Sequence, residues 1–248
     1  MHFRQYSVAI SGDIETMFYQ VKVPAEQRDL LRFLWWTKGD FSHQPKIFRM
    51  TVHLFGAGSS PSCANYGLQK TATDNKCEVS IKAVETVKRN FYMDDVLKSV
   101  ETIEEAKNLV NELKTLCNEG GFNLTKWTSN RREVLVNIPV EERAKELRDL
   151  DLDASPLPME RTLGILWSPE VDEFQFRSLL TETEATRRAM LSIISSVYDP
   201  LGFISPLIIP AKMLLQEICK KKAGWDDKPD NTTLHKWKQW TQNIKDIQ

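Results

Sequence analysis

Phe91-Tyr92-Met93-Asp94-Asp95-Val96-Leu97 sets two adjacent carboxylates at the centre of an apolar run of strand-forming residues. An unpaired charge buried in such a run is costly, so the acids call for a cationic partner. If the chain folds back at Met93-Asp94, residues 90–92 and 95–98 become two short arms of a β-hairpin with the carboxylates at its tip. Hard divalent ions take oxygen ligands, and Mg²⁺ is commonly held by one or two carboxylates together with substrate phosphates. The tip therefore reads as half of a metal site, with a solvated turn as the plainer alternative. The other half is assigned to Asp13, at the end of the apolar strand Ser7-Val8-Ala9-Ile10-Ser11-Gly12 and followed by the aromatic Phe18.

These pieces resemble a known family. Asp13-Ile14-Glu15-Thr16-Met17-Phe18-Tyr19-Gln20 resembles the first catalytic motif of reverse transcriptases, and Tyr92-Met93-Asp94-Asp95 resembles their Tyr-x-Asp-Asp motif. The flanks are most similar to the polymerase of Bel/Pao-type long-terminal-repeat retrotransposons. They are Phe55-Gly56-Ala57-Gly58-Ser59-Ser60-Pro61-Ser62-Cys63-Ala64-Asn65 between the motifs and Tyr198-Asp199-Pro200-Leu201-Gly202-Phe203 after them. The resemblance spans nearly the whole chain.

It implies an RNA-directed DNA polymerase of α+β class: a palm of antiparallel sheet and helices, then a helical thumb. The fingers are expected to be largely missing, because in the family they precede the first motif. Asp13, Asp94 and Asp95 are then the catalytic and metal-binding residues, with two Mg²⁺ ions expected and Mn²⁺ as a substitute. Phe18 matches the aromatic that stacks under the sugar and favours deoxynucleotides. By the same resemblance Gly56, Ser60 and Pro61 line the template-nucleotide site, and Lys126 lies near the triphosphate. Leu163 and Gly164, in the segment resembling the primer grip, support the primer end. Implied partners are an RNA or DNA template with its primer and deoxynucleoside triphosphates, within a larger polyprotein. The sequence departs from many retroviral enzymes in carrying Phe55 where they carry glutamine before the first glycine. The opposing reading is a truncated or domesticated remnant, not an enzyme, that binds nucleic acid or a protein partner. A two-metal nuclease is disfavoured, since the template-loop and primer-grip segments would lack a purpose. With the fingers expected to be missing, primer extension by these residues alone is expected to be poor or absent.

Composition bounds the rest. At 248 residues and 41% hydrophobic content the chain can bury a sizeable core, as one large domain or two small ones. The net charge of −1 gives no bulk positive field, so any nucleic-acid footprint must be local, with Lys220-Lys221-Lys222 and Arg131-Arg132 as the basic runs. Cys63, Cys77, Cys117 and Cys219 form no C-x-x-C pair, which argues against zinc and suits a reducing compartment. No apolar run approaches the length of a membrane span, and no signal peptide is evident. The expected location is intracellular, cytoplasmic or nuclear.

Along the chain, Leu30 to Trp36 and Ile47 to Val52 read as a hairpin, its tryptophans expected to pack in the core or on a sheet face and not to serve as base-stacking platforms. A helix is expected from Ser60, with that hydroxyl as cap and Pro61 in the first turn. Residues 79–88 form a partly helical stripe. Thr102 and Glu105 form a capping box for an amphipathic helix ended by Gly120-Gly121, after which Phe122 to Trp127 alternates like a strand. Residues 141–150 read as helical, and the proline-bearing stretch 151–158 divides a palm, residues 1–150, from a primer-grip and thumb-like region, residues 151–248. Beyond it come a hairpin around Ser168-Pro169-Glu170 and helices at 187–197 and 210–221, set apart by the Asp199-Pro200 and Ser205-Pro206 breakers. A last helix carries Leu234, Trp237, Trp240 and Ile244.

Overall fold

The computed structural model describes residues 3–162, 164–176, 184–199 and 202–245. The chain divides into two compact units, Met1–Pro158 with Pro169–Asp172, and Met159–Ser168 with Glu173–Gln248.

In the first unit the elements run β1 Val8–Ile14, α1 Met17–Gln20, β2 Arg32–Trp35, β3 Lys46–Arg49, α2 Ser60–Asp74, α3 Ile81–Arg89, β4 Phe91–Tyr92, β5 Asp95–Val100, α4 Ile103–Glu119, β6 Leu124–Ser129, α5 Arg132–Val136 and α6 Lys145–Arg148. Four strands form an antiparallel sheet in the order β4-β5-β1-β6. Val8, Ile10 and Ile14 of β1 pack with Val96 and Val100 of β5 and with Ala106, Leu109, Val110 and Leu113 of α4 in one buried cluster. The apolar spacing of α4 places those four on one side, and Thr102 Oγ1 accepts from Glu105 N–H to start the helix. The reciprocal bond of the Glu105 carboxylate goes to Glu101 N–H, one residue earlier than a strict capping box.

The strand reading of β1 and the hairpin turn at Met93-Asp94 agree with the structure, and three local expectations in this first unit do not. Ser59 holds the N-cap position of α2 without a side-chain cap bond, while Ser60 is the first helical residue and fully buried, its hydroxyl meeting His53 Nδ1 at 3.2 Å. Trp35 is 52% exposed: among the described residues β2 and β3 form a two-stranded sheet of their own, and their side chains stay exposed. The helical stretch expected at 141–150 reduces to a 3₁₀ turn, Val140–Glu142, and the single turn α6.

The second unit holds β7 Glu160–Thr162, β8 Ile165–Ser168 and β9 Glu173–Gln175 as an antiparallel sheet in that order, then α7 Arg187–Ser196, α8 Ser205–Lys220 and α9 Asn231–Lys245. Met190, Ile193, Ile208, Ala211, Leu214, Trp237, Trp240 and Ile244 form its helical core. Ser205-Pro206 begins α8 instead of breaking it, because a proline in the first turn lacks only an N–H that has no partner there. Among the described residues no helix is long and apolar enough to cross a membrane.

Candidate functional site

Strand pairing brings the predicted acids together. Asp13 lies directly opposite Asp95 in the β1–β5 register, and residues opposite one another share a face of the sheet. Ile14 N–H donates to the Asp94 carbonyl at 2.8 Å, which fixes the hairpin turn beside the end of β1. Asn90 closes the hairpin from within: its amide donates to the Leu97 carbonyl at 3.1 Å, and its carbonyl accepts from Leu97 N–H at 2.9 Å. Met93 turns the chain at φ 58, a left-handed conformation that costs a non-glycine residue about 1 kcal/mol or more.

The edge strand β6 supplies a cation. The β1–β6 register slips between Ser11 and Asp13, so that Lys126 and Trp127 together face the single Gly12. This is a β-bulge, and Lys126 takes the left-handed conformation in it, φ 52. Glycine suits position 12 in the same packing: a Cβ there would sit 3.0 Å from Trp127 Cε3, tighter than ordinary contact. The bulge turns the Lys126 side chain onto Asp13, with Nζ 2.8 Å from Oδ1. Glu15 flanks the group, its carboxylate accepting from the Asn123 amide at 2.9 Å.

The electrostatics follow from that crowding. Burial, then the neighbouring carboxylates Asp94 and Asp13, push Asp95 up to about 6, against a smaller pull from Lys126. Asp94 is raised as well, by burial first and by Asp13. The hydrogen bond to Asp13 raises Lys126, so its ammonium stays charged. Oxygen donors of this kind suit a hard divalent ion, and the ammonium on Asp13 stands where a cation is wanted. In this geometry, among the described residues, no three acid, histidine or cysteine side chains converge closely enough to hold one ion.

The other predicted residues are placed as follows. Phe18 is buried at 8% exposure, with its ring centroid 4.8 Å from that of the exposed Phe55, so α1 and the loop before α2 meet through these rings. Gly56 is exposed with φ 90 and Pro61 is half-buried at the start of α2. Gly164 belongs to the second unit, where φ 81 and the Tyr198 ring leave no room for a side chain. Leu163 lies outside the described residues. Of the basic runs, Arg132 is committed internally to the Ser155 carbonyl at 2.8 Å and Glu170 at 2.6 Å, and Lys221 to Asp230 at 2.5 Å. The bulge at Lys126 and the buttressing of β1 by Asn130, whose side chain meets Ala9 N–H at 2.8 Å, went unread in the sequence. Neither leaves a composition signal, since a lysine at positive φ obeys no propensity rule.

A profile of the family described as Pao retrotransposon-like RNaseH-like domain matches residues 186–248. Among solved structures, the foamy viral protease-reverse transcriptase in complex with RNA/DNA hybrid is 15% identical, with a TM-score of 0.52, covering 96% of this chain and 27% of that one. The foamy viral protease-reverse transcriptase dRH in complex with double-stranded DNA is 14% identical, with a TM-score of 0.56, covering 95% of this chain and 34% of that one. The chain thus spans about a quarter to a third of those structures, and at these identities the likeness is one of fold alone: mixed α and β with antiparallel sheets. No curated protein sequence matches it significantly. The described part of the profile-matched segment is built on α7, α8 and α9, and several of its acids are committed locally. Asp199 accepts from Phe203 N–H and Ile204 N–H, Asp226 pairs with Arg188, and Asp230 pairs with Lys221.

Proposed function

We propose that the first unit is the palm of an RNA-directed DNA polymerase of retrotransposon type, and that the second unit carries its primer-grip and thumb-like elements. The observation that carries this reading is the pairing of Asp13 with the Met93-Asp94-Asp95 turn across β1 and β5. Together with the phosphate oxygens of a bound triphosphate, these carboxylates would hold two divalent ions, Mg²⁺ or Mn²⁺, with Asp13 and Asp94 as principal ligands and Asp95 beside them. When bound, these ions would activate the primer hydroxyl and stabilise the departing pyrophosphate. The protein's own share is positioning: β1 and the hairpin fix the carboxylates, while Phe18 sits under the sugar. Gly56, Ser60 and Pro61 belong to the template side, Lys126 to the triphosphate, and Leu163 with Gly164 to the primer end. Partners would be a primed RNA or DNA template and deoxynucleoside triphosphates, and a nucleic-acid partner agrees with the complexes formed by the foamy viral proteins.

A second reading, an RNaseH-like domain acting on nucleic acid, draws on the profile match over 186–248. The two separate in one assay that follows both strands of a primed RNA template, using wild type and Asp94→Asn. Slow Mg²⁺-dependent extension that Asp94→Asn abolishes is expected. RNA cleavage without extension, unaffected by Asp94→Asn, overturns the polymerase reading in favour of the second.

A further inference from the structure

Resting on the palm reading, we infer that Lys126 is a built-in counter-cation for Asp13 that a divalent ion must displace, so that this lysine sets the metal affinity of the carboxylate cluster. The position is imposed by packing. Trp127 is fully buried against Gly12, and two β6 residues must face that one glycine, which leaves Lys126 in the left-handed bulge with its side chain directed at Asp13. The ammonium engages Oδ1 at 2.8 Å, one of the two oxygens Asp13 could offer an ion.

Its surroundings make the contact both needed and reversible. Asp94, Asp95 and Glu15 lie close enough to act on the same ammonium or on Asp13, so without a cation the group would be a cluster of uncompensated like charges. The Lys126 side chain is 52% exposed, whereas that of Asp13 is 24% exposed. The lysine can therefore swing into water while Asp13 and the strands stay in place. A metal ion gains the carboxylate only by giving up the stabilisation the ammonium already supplies, which is a coupling between two cations for one site.

The test is Mn²⁺ binding followed by electron paramagnetic resonance, with melting of the metal-free protein, on the full chain as wild type and as Asp94→Asn, Lys126→Met, Lys126→Gly and Lys126→Arg. Lys126→Met keeps the side-chain length without the charge and is expected to bind Mn²⁺ at least about fivefold more tightly than wild type. The same variant is expected to melt lower without metal and to regain the difference with it, while Lys126→Arg stays near wild type. Lys126→Gly, suited to the left-handed backbone, reads the same affinity change if the methionine variant does not fold. A folded neutral variant that binds Mn²⁺ as wild type does, or more weakly, overturns the inference alone. Absence of any Asp94→Asn-sensitive binding in wild type overturns the proposed function and this inference together.

Discussion

The hairpins β2–β3 and β4–β5 are both short, antiparallel and rich in apolar residues, and they meet opposite fates. Phe33, Leu34, Trp35, Ile47 and Phe48 are exposed in the first, whereas Val96 and Leu97 are buried in the second. Residue preference accounts for the strands in each case, but burial depends on what lies alongside. β5 pairs with the central strand β1 and is covered by α4, while among the described residues β2 and β3 pair only with one another, and a two-stranded ribbon has little to bury. The sheet that buries the second hairpin also forces its acidic tip against Asp13. The cost of crowding those acids has nothing comparable at the tip of the first.

Several substitutions sharpen or break this contrast. The largest effect is expected for Leu97→Ala, which empties a filled position in β5 and should cost about 2–5 kcal/mol in denaturant unfolding. A loss no greater than that of a surface change would mean β5 is not embedded as described. Gly12→Ala comes next, because its Cβ meets the Trp127 ring at 3.0 Å, tighter than ordinary contact; overpacking of this kind costs about 1–3 kcal/mol. An unchanged melting temperature would show that the bulge in β6 relaxes freely.

Asp95 supplies a pH-dependent effect. Its folded-state value of about 6 lies above the ordinary 3.8, so the folded protein holds an extra proton between them. Stability of the metal-free protein should therefore fall as pH rises from about 4 to 6 and stay low above that window. Asp95→Asn should flatten this slope and raise neutral-pH stability by about 1 kcal/mol, after allowance for solvent screening of a partly exposed carboxylate. A slope that survives the substitution would locate the strain elsewhere. The smallest effect is expected for Leu34→Ala, the same chemical change as Leu97→Ala at a side chain 62% exposed, which should stay within about 0.5 kcal/mol. A large loss there would reveal a covering layer over β2–β3.

What was legible in the sequence follows from how local each signal is. The turn at Met93-Asp94 could be read because apolar arms and polar tip lie within seven residues, and α4 because cap, stripe and terminal glycines recur at helical spacing. That Asp13 and the hairpin acids form two halves of one site could be read from the strand that Asp13 ends and from the family resemblance, but the register that sets Asp13 opposite Asp95 could not, since it joins residues far apart in the chain. The exposure of Trp35 was misread because an aromatic strand looks the same whether or not a neighbour covers it. The Lys126 bulge could not be read at all: it arises from a register slip forced by Gly12 and Trp127, a tertiary event with no local residue code.

The central claim is that a divalent cation belongs at the junction of β1, β5 and β6, and replacing that ion with Fe²⁺ tests it directly. With ascorbate and peroxide, iron cuts the backbone next to where it binds, and sequencing of the fragments locates it. Cuts are expected beside Asp13 and within Met93-Asp94-Asp95, suppressed by excess Mg²⁺ and lost in Asp94→Asn. Cuts confined to residues 186–248, or a folded protein left intact, would contradict the account.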